Sequence, residues 1–275
     1  MADIEGRTYE ALVVERHPSG VTVVTMNRPE QLNRVDGVMH KELRDIWLEL
    51  ANDYRTKVVV LTGAGRAFCA GGDLKKMAAS NEVYGAGEGI DPLAVMQAEA
   101  RRIVFYQLDL EQPLIAAING DAIGLGASLA LGCDITICAE TARIADPHVK
   151  MGLVAGDGGA VLWPLLVGPA KAKEFLIRGT MLYGPEAERI GLVNYSVPTA
   201  NVLSHAMEIA EEIALLPPMA VRFTKLAVNR YMKDVYQQTM DTSIALELVT
   251  FRSEDHKEAA RAFSERRPPN PFQGR

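Results

Sequence analysis

A run of apolar strand-forming residues followed by a glycine-rich turn and a helix start occurs twice in this chain. The first copy, KVVVLTGAGRAFCAGGDLKK, covers Lys57 to Lys76, and Val58 to Leu61 has the pattern of a buried strand. The second copy begins with a strand at Pro113 to Ile118, and its turn NGDAIGLGA leads into a helix at Ala127 to Gly132. Buried strands that alternate with helices in this way are typical of an α/β protein.

The first turn contains Cys69-Ala70-Gly71-Gly72, where the backbone carries almost no side chain and a ligand can approach its N–H groups. A phosphate-binding P-loop is excluded because the GxxxxGK[ST] spacing is absent. A dinucleotide fingerprint needs GxGxxG; Gly63 and Gly65 fit, but Phe68 stands in place of the third glycine. A backbone oxyanion hole and an ordinary strand-to-helix turn remain open.

The second turn favours the oxyanion hole. Two helix N-termini, each preceded by nearly bare backbone, can direct their N–H groups at a single oxygen atom. Such a pair needs no particular side chain, so the sequence predicts the donors only through the two glycine-rich turns.

The composition excludes several classes of protein. With 275 residues, of which 48% are hydrophobic, the chain can bury a sizeable core. A net charge of −6 argues against a general nucleic-acid or anionic-membrane surface. The sequence has no apolar run long enough for a transmembrane helix. Its first residues, MADIEGRTYE, do not have a targeting pattern, and we expect a cytoplasmic protein. The three cysteines lack CxxC spacing, which indicates reduced thiols and no metal site.

Elsewhere the pattern predicts a β-hairpin near the start, a helix from about Val38 to Asn52, and a lid candidate at Ala78 to Pro92. Beyond residue 200 it predicts only helices, at Val202 to Leu216, Met219 to Lys233, Val235 to Phe251 and Lys257 to Arg266. A long turn-rich loop from Asp146 to Gly159 contains His148 and Asp157, which suit acid–base catalysis near neutral pH. Their separation of nine residues permits a contact when the loop folds back.

Taken together, the two turns resemble those of the crotonase family of enoyl-CoA hydratases and isomerases. The matching segments follow the family's order over nearly the whole chain: AFCAGGDLKKM, AAINGDAIGLGASLALGCDITICAE, ADPHVKMGLVAGDGGAVLWPLLVG, GPEAERIGLVN and AFSERRPPNPFQG. The resemblance implies an α/β (α+β) fold, a spiral of ββα units over residues 1–200, with a C-terminal helical trimerisation region at 201–275. It also implies a homotrimer or a dimer of trimers.

The substrate that the resemblance implies is an acyl-CoA thioester, as in fatty acid metabolism, with no other cofactor. Its carbonyl would lie between the backbone N–H groups of Gly72 and Leu125, the latter replacing the family's usual glycine. Residues carried over for the CoA path are Ala70, near the adenine, and Gly72, Asp73, Leu74 and Lys75. We assign Arg34 and Lys75 to the phosphates.

The family's two catalytic glutamates are absent, since Ser128 and His148 occupy their positions. Several family isomerases place an aspartate near position 157, and one carboxylate beside a stabilised enolate is enough to move a proton between carbons. Asp157 is therefore the predicted catalytic carboxylate. Glu247 on the C-terminal helices can reach the pocket, but a position on the helix surface is the favoured interpretation.

The run PH…GDG…WP also resembles 6-oxocamphor hydrolase, a family member that cleaves a C–C bond in a cyclic diketone. His148, Asp157 and Trp163 match that run, and His40 matches a further histidine. In such a pair the aspartate orients the imidazole, which activates water. The leading hypothesis is an acyl-CoA hydratase- or isomerase-type enzyme. The alternatives are a C–C hydrolase of a cyclic diketone or oxoacyl-CoA, and a non-catalytic CoA-binding scaffold.

Overall fold

A computed structural model describes residues 8–72 and 92–275 of the chain. Its strands are β1 (Leu12–Arg16), β2 (Val21–Met26), β3 (Val58–Gly63), β4 (Ala67–Cys69), β5 (Leu114–Ile118), β6 (Asp121–Ile123), β7 (Ile135–Ala139), β8 (Arg143–Ala145), β9 (Leu182–Tyr183) and β10 (Tyr195–Val197). Its helices are α1 (Gly37–Ala51), α2 (Pro92–Asp109), α3 (Leu125–Leu131), α4 (Gly159–Arg178), α5 (Gly184–Arg189), α6 (Val202–Ala214), α7 (Pro218–Phe251) and α8 (Glu254–Glu265). Single 3₁₀ turns lie at Pro29–Gln31, His148–Met151 and Thr199–Asn201.

The strands form two sheets that the chain visits in turn. The larger sheet has the order β1-β2-β3-β5-β7-β10 and the smaller one β4-β6-β8-β9. The strands β3, β5 and β7 each enter the larger sheet, and the next strand of each pair, β4, β6 or β8, enters the smaller sheet before a helix follows. This succession is the predicted spiral of ββα units. The predicted hairpin is also confirmed, because β1 and β2 pair antiparallel.

The central strands are apolar because both of their faces are covered. Every residue of β3 and of β5 is buried, and the two strands pair in parallel, with Val60 opposite Ile115. One apolar face of α1 packs onto this core, and its buried side chains are those that helical spacing predicts: Met39, Leu43, Ile46, Trp47 and Leu50.

Two strands of the smaller sheet, β4 and β6, were assigned to turns by the sequence pattern, and that assignment is wrong. Each strand has only three residues, too few for an alternating pattern to emerge. The passage between the sheets is also tight, since a Cβ atom on Gly120 would lie 2.2 Å from the carbonyl oxygen of Arg66. The glycines that the sequence pattern assigns to turns therefore lie where two backbone segments pack directly against each other.

The C-terminal part of the chain is helical, as predicted, but with one helix fewer. The structure has a single 34-residue helix, α7, where the sequence predicts a break near Asp234. No glycine or proline interrupts the helix there. The carboxylate of Asp234 forms an ion pair with the guanidinium of Arg230, one turn earlier, at 2.8 Å. None of the helices in the described ranges combines the length and the apolar character needed to cross a bilayer.

Candidate active site

The two glycine-rich turns are in contact with each other. Gly71 has a positive φ of 83°, and a Cβ atom there would lie 2.5 Å from the carbonyl oxygen of Ile123 and 3.8 Å from the backbone nitrogen of Leu125. At Gly126 a Cβ atom would lie 2.2 Å from the carbonyl oxygen of Cys69. Side chains at Gly71 and Gly126 would push the turns apart, so these glycines allow the close approach.

The parallel pairing of β4 with β6 explains why the turns meet. Parallel strands end at the same edge of a sheet, and the turn after each strand therefore emerges beside the other. Across residues 8–72 and 92–275, the N–H groups of Gly72 and Leu125 have no hydrogen-bond acceptor. Two neighbouring backbone donors thus lie at one edge of the smaller sheet.

A histidine and three carboxylates form a cluster beside these turns. His148 begins the 3₁₀ turn after β8, and its Nδ1 is hydrogen-bonded to Asp146. On the other side of the ring, Nε2 lies 3.5 Å from an oxygen of Asp157 and 3.9 Å from an oxygen of Glu247. The looped-back contact that the spacing permits between His148 and Asp157 is therefore present.

The structure corrects the predicted role of Asp157 toward the imidazole of His148. Sequence reasoning gave Asp157 the task of orienting the imidazole, but Asp146 makes the Nδ1 hydrogen bond and Asp157 faces the opposite nitrogen. Asp146 is only two residues from His148, so the short spacing along the chain brings carboxylate and ring together. No pattern in the sequence distinguishes this contact from the longer one.

Asp157 is held from the side of α3. Its Oδ1 lies 3.5 Å from the hydroxyl of Ser128, at the long limit of a hydrogen bond. Gly158 allows this approach, because it has φ 133° and a Cβ atom there would lie 2.9 Å from Ser128 Oγ. Ser128 thus faces the carboxylate from the position where the family resemblance places a glutamate.

Glu247 was interpreted as a surface residue, and this interpretation is wrong. It is only 6% exposed, and it approaches His148 from α7. The signal that could have identified it is the buried stripe along that helix: Tyr236, Met240, Ser243, Glu247 and Phe251. Spacings of three and four residues place Glu247 on the same inward face as the large apolar residues.

Burial and mutual charge set the protonation of the cluster. Burial alone would lower the pKa of His148, but the charges of Asp146 and then Asp157 outweigh it and hold that pKa well above 6.5. Burial raises the pKa of Asp157 to about 6 against the opposing charge of His148. Burial and the charge of Asp157 raise the pKa of Glu247 to about 8. These shifts favour a cationic imidazole, and they favour the protonated form more strongly for Glu247 than for Asp157.

Gly124 links the cluster to the pair of turns. It has φ 56°, it immediately precedes Leu125, and a Cβ atom there would lie 3.3 Å from Cε1 of His148. The backbone donor of Leu125 and the ionisable cluster therefore lie on adjoining surfaces. A group bound at the turns would have His148 and its carboxylates next to it.

The other residues that the sequence predicts for substrate binding lie apart from this cluster or outside the described residues. Asp73, Leu74 and Lys75 lie outside the described residues, as does the lid candidate up to residue 91. The backbone N–H of Ala70 donates to Leu32 at 3.0 Å. Arg34 donates to Gln31 at 3.1 Å, and Trp163 is 1% exposed with its ring 5.8 Å from that of Phe175. The roles of these residues toward a substrate stay predictions.

His40 lies on α1, where burial lowers its pKa against the charge of Glu99. The match of His40 to a further histidine of 6-oxocamphor hydrolase stays a resemblance in sequence.

The cluster also has the spacing of a cation site. One ligand atom from each of Asp146, His148 and Asp157 lies within 4.8 Å of the others. Metal binding needs a deprotonated ring nitrogen, whereas the charges of Asp146 and Asp157 raise the pKa of His148 and so favour its protonated form. We interpret these residues as an acid–base cluster.

Chelation is accordingly expected to leave activity unchanged. The protein is dialysed against EDTA at pH 7 and then assayed with saturated, 2-enoyl and 3-enoyl CoA thioesters. The rate should equal that of the untreated protein. Addition of Mg²⁺ or Zn²⁺ is the control and should not raise that rate. A loss on chelation that one of these ions restores would show that the carboxylates hold a metal.

Comparisons with known proteins agree with the fold. The enoyl-CoA hydratase/isomerase family model matches residues 16–275. The chain is 38% identical over 261 residues to a short-chain-enoyl-CoA hydratase of Clostridium acetobutylicum, covering 93% of this chain and 95% of that one. It is 32% identical over 250 residues to a 1,2-epoxyphenylacetyl-CoA isomerase of Escherichia coli, covering 91% and 94%.

Solved structures give the same result. An enoyl-CoA hydratase/isomerase from Mycobacterium paratuberculosis superposes with a TM-score of 0.82 at 35% identity, covering 91% of this chain and 97% of that one. An enoyl-CoA hydratase from Mycobacterium avium subsp. paratuberculosis gives 0.85 at 27% identity, covering 97% and 100%. The predicted crotonase fold is thereby confirmed, and the chain belongs to the enoyl-CoA hydratase/isomerase family.

Proposed function

We propose that this enzyme binds a coenzyme A thioester with its carbonyl oxygen between the N–H groups of Gly72 and Leu125. The contact between the two turns and the lack of other acceptors for these donors in the described ranges support this placement. When a proton leaves the carbon next to the carbonyl, negative charge collects on that oxygen. Fixed donors stabilise this charge without reorganising, and each is worth roughly 3–4 kcal/mol in comparable sites.

Asp157 is the group that moves the proton in this proposal. Burial raises its pKa to about 6, which is close enough to neutral pH for it to act as a base and to return the proton afterwards. His148 carries a fixed positive charge beside it and is held in place by Asp146. The resulting reaction is transfer of a proton between carbons of the acyl group, which moves a double bond.

The observation that carries the proposal is the position of Gly124 between Leu125 and His148. It places the proposed oxyanion donors and the proton-transfer cluster on adjoining surfaces.

Exchange in deuterated water tests this proposal. The protein is incubated with saturated, 2-enoyl and 3-enoyl CoA thioesters of several chain lengths, and deuterium at the α-carbon and double-bond migration are followed by mass spectrometry and NMR. We expect enzyme-dependent α-exchange on at least one chain length. Absence of exchange on every thioester would contradict the proposal.

Hydrolysis of a C–C bond in a cyclic diketone or cyclic oxoacyl-CoA is the second candidate, supported by the 3.5 Å contact between His148 and Asp157. It requires a neutral imidazole to activate water, and the raised pKa of His148 opposes that state. Both substrate types belong in the panel. Turnover of a free diketone without α-exchange on any thioester would favour this candidate over the first.

The remaining substrate contacts follow the family resemblance. We assign the CoA path to Ala70 and residues 72–75, with Arg34 and Lys75 near the phosphates, and we include Trp163 among the substrate-binding residues. Coenzyme A enters as part of the substrate, and the proposed reaction needs no separate cofactor, since it consists only of proton movements.

We also propose that the C-terminal helices form contacts between copies of this chain. Large apolar side chains there are more than half exposed in the single chain: Met219, Phe223, Tyr231, Leu246 and Val249. Light scattering after size exclusion should give a mass of three or six chains. A monomer at micromolar concentration would contradict this proposal.

A further inference from the structure

The loop that carries His148 and Asp157 is attached to the last two helices of the chain. Between Met151 and Gly156 it contacts four residues of α7 and α8 in succession, which are His256, Phe251, Thr250 and Ser243. The family resemblance assigns these helices only to contacts between copies of the chain. In the structure they also determine where the active-site loop lies.

The imidazole of His256 binds the end of the 3₁₀ turn that begins with His148. Its Nδ1 donates a hydrogen bond to the carbonyl oxygen of Met151 at 2.7 Å, and Met151 is the last residue of that turn. The turn is closed by a further bond, because the carbonyl oxygen of His148 accepts from the backbone N–H of Leu153 at 3.0 Å. A displacement at Met151 is therefore passed to His148 through a short, hydrogen-bonded segment.

Gly152 allows the backbone of α8 to approach this turn closely. It has φ 67°, and a Cβ atom there would lie 3.0 Å from both the Cα and the backbone nitrogen of His256. Ser253 fixes this end of α8, since its hydroxyl accepts a hydrogen bond from the backbone N–H of His256 at 3.1 Å. The first turn of α8 is thus in direct contact with the turn that carries His148.

His256 is a buried histidine whose ring makes one hydrogen bond within the described chain. The residue is 0% exposed, its ring lies edge-on to Phe251 with centroids 5.1 Å apart, and Nε2 has no partner among the described residues. Burial lowers the pKa of His256, and the neutral ring carries its proton on Nδ1, where the bond to Met151 needs it. An apolar residue would fill this place without an unsatisfied nitrogen, but it could not bind Met151.

Thr250 makes a second hydrogen bond to the same loop. Its hydroxyl accepts from the backbone N–H of Val154 at 3.2 Å and donates to the carbonyl oxygen of Glu247 at 2.8 Å. Leu153, which lies between the two attachment points, packs with Phe251 in a small buried cluster. Both C-terminal helices thus hold the loop through neighbouring residues.

We propose that His256 is a positioning residue for the proton-transfer cluster and that Thr250 assists it. By fixing the turn that begins with His148, they keep Nε2 of that ring 3.5 Å from Asp157. Neither side chain touches the substrate. The catalytic consequence rests on the proposed function, whereas the effect on His148 does not. A misplacement of about 1 Å at a catalytic group can lower a rate by about 10²-fold.

The test compares His256→Leu with His256→Asn. Leucine fills the apolar surroundings and removes the donor, whereas the amide nitrogen of asparagine can take the place of Nδ1. The assay is α-exchange on a saturated acyl-CoA in deuterated water. We expect His256→Leu to lower kcat by about 10–100-fold and to leave KM unchanged, because Gly72 and Leu125 are not on this loop. His256→Asn should recover most of the lost kcat.

The matched control is His205→Leu on α6. The ring of His205 also lies edge-on to an aromatic ring, that of Tyr195, with centroids 5.4 Å apart. Its ion-pair partner is Glu208 at 3.4 Å. Because His205 does not contact the active-site loop, His205→Leu should keep the wild-type kcat and KM.

A second readout needs no substrate. The imidazole of His148 is titrated by NMR in protein that contains labelled histidine. The charges of Asp146, Asp157 and Glu247 face this ring, and His256 faces it from α8. When the turn is released, Nε2 moves away from Asp157. We therefore expect a lower pKa of His148 in His256→Leu and a return toward the wild-type value in His256→Asn.

The outcomes separate this inference from the proposed function. Wild-type kcat in His256→Leu would overturn the inference, as would a loss that His256→Asn does not recover. If the wild type exchanges no α-proton, the proposed function fails and the titration decides, since an unchanged pKa of His148 in His256→Leu would overturn the inference. If His256→Leu does not fold, Thr250→Val removes the second bond at nearly constant shape. It should lower kcat and the pKa of His148, and wild-type values would overturn the inference.

Discussion

Replacing Asp157 with asparagine is expected to lower the rate of α-proton exchange by about 10²–10⁴-fold. Asparagine keeps the shape of the side chain and its contact with Ser128 but cannot accept the proton. Because the pKa of Asp157 is about 6, wild-type exchange should also fall as the pH drops below about 6, where the carboxylate becomes protonated. The measurement is deuterium incorporation into a saturated acyl-CoA across pH 5–9.

The control for this substitution is Asp234→Asn on α7, which removes a partly exposed carboxylate paired with Arg230. It should keep the wild-type rate. Asp157→Asn should also remain folded, because the raised pKa means that the ionised carboxylate destabilises the native state at neutral pH. Exchange by Asp157→Asn within threefold of wild type would show that another group takes the proton.

Asp146→Asn is expected to lower stability by about 3 kcal/mol, since removal of one partner of a buried ion pair leaves the other uncompensated. The value is at the lower end of the usual range because Asp157 and Glu247 still face His148. For a chain of this size such a loss lowers the melting temperature by roughly 10 °C. Urea and thermal unfolding of both proteins measure it.

The pH dependence of this loss identifies its cause. The folded pKa of His148 lies above its unfolded value of 6.5, so the stability that its charge contributes is fully present below pH 6.5. It disappears as the pH rises through the folded pKa, and the difference between wild type and Asp146→Asn should shrink with it. A difference below 1 kcal/mol at pH 6 would mean that Asp146 does not hold an imidazolium.

The sequence predicts most of the fold because its central strands are continuous apolar runs. β3 and β5 are buried on both faces, and such strands differ clearly from the helices around them. The three-residue strands β4 and β6 escape detection because their hydrogen bonds come from a partner far along the chain, and their glycines look like turns. The sequence also predicts two helices, Met219 to Lys233 and Val235 to Phe251, where α7 is continuous.

The active site is predicted in part for similar reasons. Glycines report where backbones approach closely, and so the contact between the turns follows from the sequence. The partners of His148 cannot be predicted from the sequence in this way. Asp146 is only two residues away, and no pattern marks its contact with the ring. Glu247 is ninety-nine residues further on, and only helix packing brings it to His148. A glutamate on an inward helical stripe is expected to be buried, in contrast to one on the solvent-facing side of a helix.

The central claim is that two peptide N–H groups bind one thioester oxygen beside Asp157. An experimental structure with a stable acyl-CoA analogue tests it most directly, through the distances from the carbonyl oxygen to the nitrogens of Gly72 and Leu125. The account predicts both distances at about 2.7–3.1 Å, with the α-carbon next to the Asp157 carboxylate. A carbonyl oxygen that contacts neither nitrogen, or an acyl group that points away from His148 and Asp157, would contradict it.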